Sequence, residues 1–332
     1  MATENRTESG AGSAGVFPSD GVTLARFDRP TGTGTTLMVV SDPHLSATAH
    51  GTLKMYHRAK QRFQMAVADA HRLDVDAFVV AGDLTKAGTD RERALARDLL
   101  GIAPRPTVTV PGNHDVTPAG ETGFDSGEEF ATWQGASSYP QSHPLDSLVV
   151  RAFDTTAPAA RSGRVGSETL QTLDGERIAA PQIAVMHHPL AAVPRPFRSE
   201  LAAVDYRVEN PASTADVLAD SGIELVLTGH LHWPYATDYR GLNVVGAPGC
   251  ASFPPAYLLV HVGPAGTTVS LVPLAGANGV AEAYEYALDD DLRGSLIQQA
   301  VRDGYFGEFP LVDQQTMAPA DTSILHSTGT PQ

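Results

Sequence analysis

Only one cysteine, Cys250, occurs in 332 residues, which excludes an intramolecular disulfide and leaves the redox compartment weakly constrained. No apolar run approaches the roughly 20 residues that a membrane-spanning helix needs. The longest, such as those at 36–40 and 77–80, have the length of strands. Lysine is scarce: Lys54, Lys60 and Lys86 are the only ones, and every other base is arginine. Basic residues number 23 against 38 acidic ones, giving a formal net charge of −15. Such a chain lacks the broad basic surface that gripping nucleic acid or an anionic membrane requires. The start, Met-Ala-Thr-Glu-Asn-Arg, has no apolar core of a signal peptide, so a cytoplasmic location is expected. An acidic, lysine-poor surface fits a salt-rich cytoplasm, where screening weakens repulsion between carboxylates. A high-GC genome, which also favours Arg over Lys, is the other reading.

Hydrophobic residues make up 42% of the chain and charged residues 18%, a balance that suits a folded domain. Residues 1–20 are rich in Gly, Ser, Thr and Ala and lack periodicity, and so do residues 317–332; both are expected to be disordered tails. Between them, 21–316 reads as one domain without a repeat or a long linker. Its first half alternates strand and helix: strands at 36–41, 77–81 and 107–110, and helices at 56–73 and 90–100. Phe63, Ala66, Val67, Ala70 and Leu73 recur at spacings of three and four, the stripe of an amphipathic helix. Thr89 suits an N-cap, and Gly101 suits the end of that second helix. This rhythm predicts α/β crossovers and a parallel sheet. Strands are expected at 183–186, 224–227, 243–245, 257–262 and 268–272, and a closing helix at 289–302. The expected architecture is two packed sheets with helices outside. The stretch 116–181 has no clear period and reads as an irregular insertion.

Five short segments follow apolar strands and end in metal-binding residues. They are Asp42-Pro-His44, Gly82-Asp83, Gly112-Asn113-His114-Asp115, His187-His188 and Gly229-His230-Leu-His232. Strand C-terminal ends lie along one edge of such a sheet, where loops build sites. A mixed set of imidazole, carboxylate and amide oxygen suits Mn, Fe or Zn and exceeds what Mg usually recruits from protein. The set also holds more donors than one ion uses. Two cations roughly 3.5–4 Å apart, sharing a carboxylate, are a known device for in-line displacement at phosphorus.

Together these segments resemble the signature of the calcineurin-like metallophosphoesterases, in the same order and across most of the chain. The resemblance implies a four-layer α-β-β-α sandwich of two mixed sheets flanked by helices. It implies two divalent metal ions and attack by a metal-bridging hydroxide on a small-molecule phosphoester. Asp42, His44 and His232 would hold one metal, Asn113, His187 and His230 the other, and Asp83 would bridge them. His114 would face the substrate as an acid or an electrostatic stabiliser, with Asp115 orienting it. Gly82-Asp83-Leu84-Thr85, Gly88, Phe153-Asp154-Thr155, Arg164-Val165-Gly166 and His187-His188-Pro189 further resemble the class III cyclic-nucleotide phosphodiesterase branch. That branch often carries a charged pair after Asn-His-Asp, whereas Val116 and Thr117 stand here.

Other residues are read more plainly. His188 follows a strand-end ligand, so alternation directs its side chain the other way. His50 and His57 read as solvated polar positions near the cleft. His71, His143, His261 and His326 lack partner patterns. Arg195 and Arg198 could contact a substrate phosphate or stand in an exposed loop. The glycine-rich 246–249 lacks the lysine and spacing of a P-loop, and Cys250 and Trp233 read as packing residues. A phosphodiesterase for small, nucleotide-like diesters leads. A phosphomonoesterase or phosphoprotein phosphatase with the same centre is the nearest rival, ahead of a nuclease and a non-catalytic scaffold. Oligomeric state is open.

Overall fold

The central strands are apolar on both faces because both faces are covered. In the computed structural model, which describes residues 21–117, 121–157, 160–174, 176, 178–193 and 206–315, β1 (Val22–Phe27) and β2 (Thr35–Val40) open the chain. Helix α1 (Tyr56–Leu73) leads to β3 (Ala77–Ala81), and α2 (Asp90–Gly101) leads to β4 (Thr107–Val110). Leu37, Val39, Val79 and Val108 point into the space between two sheets. Their neighbours Met38, Val40, Phe78 and Val80 meet Phe63, Ala66 and Val67 of α1 and Ala96 and Leu99 of α2. This two-sided burial is what a parallel segment flanked by crossover helices produces. Helix α2 starts on a capping box: Thr89 accepts from the Glu92 amide, and the Glu92 carboxylate accepts from the Thr89 amide.

The region expected to be irregular instead carries α3 (Gly127–Trp133), β5 (Gln141–Pro144), β6 (Val149–Ala152) and α4 (Ser167–Leu173). These elements are too short for a period to register. Arg151 also interrupts the apolar run of β6, where it is buried and donates to Glu176 and Gln182. There follow β7 (Gln182–Val185), α5 (Pro211–Asp220), β8 (Ile223–Thr228), β9 (Tyr235–Tyr239) and β10 (Leu242–Gly246). The hairpin β11 (Ala256–Gly263) and β12 (Gly266–Pro273) precedes α6 (Gly276–Leu288), α7 (Asp291–Arg302) and β13 (Val312–Asp313). The closing helix begins two residues later than expected, because Asp290 caps it by accepting from the Arg293 amide.

Among the described residues one sheet runs β13-β1-β12-β11-β2-β3-β4 and the other β5-β6-β7-β8-β10-β9. Both are mixed. The parallel pairs β2–β3 and β3–β4 sit in the first, and β6–β7, β7–β8 and β8–β10 in the second. The sheets face each other across one core, with α1 and α2 covering the first and α4 and α5 beside the second. This is the four-layer sandwich. The helix pair α6–α7 adds Val280, Ala283, Leu296 and Ile297 to the same core and is tied to α1 where Arg58 donates twice to Glu282 Oε1, at 2.9 and 2.7 Å.

Candidate metal centre

Parallel strands of both sheets end at one place. β2 delivers Asp42 and His44, β3 Asp83, β4 Asn113 to Asp115, β7 His187 and His188, and β8 His230 and His232. Backbone contacts lock these ends together. The Asp42 amide donates to Gly82 O at 3.1 Å, the His44 amide to Asp83 O at 2.9 Å, and the His230 amide to Asp42 Oδ2 at 2.9 Å. Asp42, His44, Asp83, His230 and His232 all adopt left-handed φ, between 46° and 71°. Non-glycine residues held there cost on the order of 1–3 kcal/mol each and cluster where geometry serves a site. Close approach also dictates two glycines: a Cβ at Gly112 would collide with the Asp83 carboxylate, and one at Gly82, with φ of 89°, with the His187 ring.

The side chains form two clusters joined by one carboxylate. In the first, His232 Nε2 lies 3.1 Å from Asp42 Oδ1 and 3.2 Å from His44 Nε2. In the second, His187 Nε2 lies 3.2 Å from His230 Nδ1. Asp83 stands between, Oδ2 3.6 Å from His44 Nε2 and Oδ1 3.4 Å from His187 Nε2. The imidazoles are oriented from behind. His187 Nδ1–H donates to Ala81 O at 2.9 Å, which turns Nε2 toward the centre, and His232 Nδ1 meets Ser252 Oγ at 2.7 Å. Asp42 Oδ1 and Asn113 Oδ1 are buried without a hydrogen-bond partner. Buried acceptors without a donor, converging with bare imidazole nitrogens, are the donor set that borderline divalent cations take.

Electrostatics agree. Burial opposes the charge on Asp83, but His187, His114 and His44 outweigh it and hold the carboxyl well below its usual range. Asp42 is lowered in the same way by His232 and His187. Burial would also lower His187, yet Asp83 and Asp42 push it up to about 9. His232 is drawn down to about 4 by burial despite Asp42, and burial takes His44 and His230 well below the usual imidazole range. The pocket therefore favours positive charge between its two carboxylates.

His114 flanks the first cluster, its ring 4.6 Å from that of His44. Its Nδ1–H donates to Lys86 O at 2.8 Å, and its Nε2 accepts from Lys54 Nζ at 2.9 Å. The expected orienting role of Asp115 gives way to a different one. Its carboxylate accepts from the amides of Leu84, Thr85 and Gly112 and from Thr85 Oγ1, which ties the Asp83 loop to the Asn113 loop. His188 does not point away. Strand β7 ends at Val185, so alternation no longer governs residue 188, and its ring lies 4.7 Å from that of His230. Thr155 Oγ1 holds its Nδ1 at 2.8 Å.

His50 and His57 stack on each other at 4.1 Å, and His57 meets Tyr286 of α6, bracing the loop before α1. His71, His143 and His261 bond to Ile102 O, Gln141 and Thr36, away from the centre. Arg195, Arg198 and His326 lie outside the described residues. Cys250 is buried, and its amide donates to Ser41 O at 2.8 Å. Sequence reasoning missed Lys54, Ser252, Arg293 and Tyr206, whose ring lies 5.5 Å from that of His230. For Lys54 a signal existed, since it is one of three lysines and lies between the first ligand pair and α1. Burial draws its pKa down to about 8 against the pull of Asp83 and Asp42. Arg293 has no such signal, because only the folding of α7 brings it near.

Comparison with known proteins gives a consistent picture. The family model described as calcineurin-like phosphoesterase matches residues 35–234. The chain is 26% identical over 219 residues to a probable cyclic nucleotide phosphodiesterase of Rhodococcus erythropolis, covering 63% of this chain and 68% of that protein. It is 26% identical over 280 residues to a cAMP/cGMP dual specificity phosphodiesterase of Mycobacterium tuberculosis, covering 71% and 79%. Among solved structures, a dimetal phosphatase from Danio rerio superposes with a TM-score of 0.51 at 14% identity, covering 72% of this chain and 99% of that one. At that identity the likeness is one of fold. No helix among the described residues is long and apolar enough to cross a membrane.

Proposed function

The chain belongs to the calcineurin-like phosphoesterase family, and from that premise we propose that it is a phosphodiesterase for small, nucleotide-like diesters, cyclic nucleotides among them. It is a metal-dependent phosphoric ester hydrolase. The observation that carries a binuclear reading is Asp83, whose two oxygens face opposite histidine clusters. In this reading Asp42, His44 and His232 hold one divalent cation, Asn113, His187 and His230 hold the other, and Asp83 serves both. A bound pair of cations supplies Lewis-acid stabilisation of phosphoryl oxygens and lowers the pKa of a water.

The chain's own contribution to proton transfer centres on His114. Its Nδ1–H is committed to Lys86 O, so Nε2 is the atom that faces the site. A proton held between His114 Nε2 and Lys54 Nζ stands ready for a leaving alcohol oxygen. Asp115 keeps the Asp83 and Asn113 loops in register, and Ser252 keeps His232 turned inward. Residues 21–316 are read as one metallophosphoesterase domain, since both sheets share one core.

One observation favours the monoesterase as a second reading. No ligand motif has a base beside it in sequence, yet the fold brings Lys54 and Arg293 to the centre. Positive charge beside the centre suits a dianionic monoester, so the diester reading rests on the relatives. Steady-state kinetics with added Mn²⁺ separate the two. The proposal expects bis(p-nitrophenyl) phosphate and 3′,5′-cyclic AMP to be hydrolysed with higher kcat/KM than p-nitrophenyl phosphate, and a chelator to abolish all turnover. A clear preference for the monoester would select the second reading.

A further inference from the structure

We propose that Lys54 and Arg293 form an anion subsite beside the candidate metal centre, one that takes the extra negative charge of a dianionic phosphate and so admits phosphomonoesters as well as diesters. The inference rests on reading the centre as a phosphoesterase site.

Among the described residues neither cation forms an ion pair. The contact of Lys54 Nζ is a neutral acceptor, His114 Nε2, and Arg293 forms no ion pair among the described residues. This is unusual in a chain with 38 acidic residues. The buried bases Arg151 and Arg62 each have a carboxylate partner, Arg151 in Glu176 beside Gln182, and Arg62 in Glu282 beside two backbone carbonyls. Asp290, one acid near Arg293, spends its carboxylate on the Arg293 amide as a helix cap. Arg293 lines a small cavity with His232, Ser252 and Leu53, the neighbour of Lys54. Its charge is felt at Asp42, His232 and Lys54.

The two residues arrive from separate elements. Lys54 comes from the loop before α1, and Arg293 from the first turn of α7, beyond residue 234 where the family match ends. The scaffold between them is firm. Arg58 holds Glu282 of α6, and Arg62 donates to Gly279 O of α6 at 3.0 Å and to Ala251 O. Helices α6 and α7 thus place Arg293 at a fixed position relative to the Lys54 loop.

The chemistry selects the ligand. A phosphomonoester carries close to two negative charges at neutral pH, and a diester carries one. A guanidinium presents paired donors that match two phosphate oxygens, and an ammonium adds a point charge. With Asp42 and Asp83 given over to the divalent cations, Lys54 and Arg293 add positive charge beside the phosphoryl site and favour the dianion.

The test uses the metal-loaded, full-length protein and R293Q, with K54M as a second variant. Binding of inorganic phosphate is measured by calorimetry, alongside metal content and kcat/KM for p-nitrophenyl phosphate and bis(p-nitrophenyl) phosphate. R293Q is expected to keep wild-type metal content and to weaken phosphate binding by about 10-fold or more, the usual scale for a lost charge-assisted hydrogen bond. Monoester kcat/KM should fall by a similar factor and diester kcat/KM much less. K54M should weaken phosphate binding as well, with a larger effect on diester turnover because it also touches His114. Unchanged phosphate affinity in both variants, an equal fall for both esters in R293Q, or loss of metal from R293Q would overturn the proposal. If the wild type cleaves neither ester, the phosphoesterase reading fails, and the calorimetry still judges the subsite.

Discussion

Replacing Arg62 by Leu tests how the framework behind the centre is held. Arg62 is 1% exposed, and its guanidinium reaches two segments: Ala251 O after β10, and on α6 Gly279 O at 3.0 Å and Glu282 Oε2 at 3.4 Å. Leucine would fill most of the space with no donor. Glu282 would keep both bonds from Arg58, so its charge stays compensated. The Ala251 carbonyl would lose its donor, whereas Gly279 O lies inside α6 and keeps the intrahelical bond of its turn. A buried acceptor left unmade costs about 1–3 kcal/mol, so a loss of that order is expected, a sizeable part of the roughly 5–15 kcal/mol that holds a typical domain together. Urea unfolding of wild type and R62L, each metal-free, reads it as a fall in the midpoint at constant slope. A loss below about 1 kcal/mol would mean that the Ala251 carbonyl is satisfied without Arg62, and the bracing of α6 against α1 would need another explanation.

His114→Ala should lower kcat by roughly 10²–10⁴ on a substrate with a poor leaving group while metal content stays constant; near-normal kcat would remove the proton-donor role. Ser252→Ala frees the rear nitrogen of His232 and should weaken Mn²⁺ binding about 10- to 100-fold, as loss of an orienting partner does; an unchanged titration would show that Ser252 is a bystander. The thermal midpoint should rise between about 0.1 M KCl and molar KCl as repulsion within the −15 charge is screened. Highest stability in dilute buffer would leave genome composition as the reason for the scarcity of lysine.

Much of the fold could be read from periodicity where elements are long. Helix α1 occupies 56–73 as its stripe predicts, because a helix of that length repeats its buried face through Phe63, Ala66, Val67 and Ala70. The four-residue strand β6 was invisible for the opposite reason, with Arg151 breaking a run of only four positions. The strand-end motifs were legible because chemistry that needs imidazole, carboxylate and amide oxygen leaves few residue types to choose from. What local pattern cannot carry is a contact made by a distant element. Arg293 is separated from His232 by more than a whole hairpin and a helix, and nothing around it in sequence marks it. His188 illustrates a further limit, since alternation holds only while the strand lasts.

Metal content measured by elemental analysis, on the wild type and on Asp83→Asn, bears most directly on the binuclear centre. Asp83 faces His44 with one oxygen and His187 with the other, so one substitution touches both clusters. The wild type is expected to hold two divalent cations per chain, and the variant, still folded by circular dichroism, to lose affinity at both positions and all turnover. Two equivalents of Mn²⁺ bound by Asp83→Asn with unchanged affinity would contradict the bridging role and, with it, the account of the site.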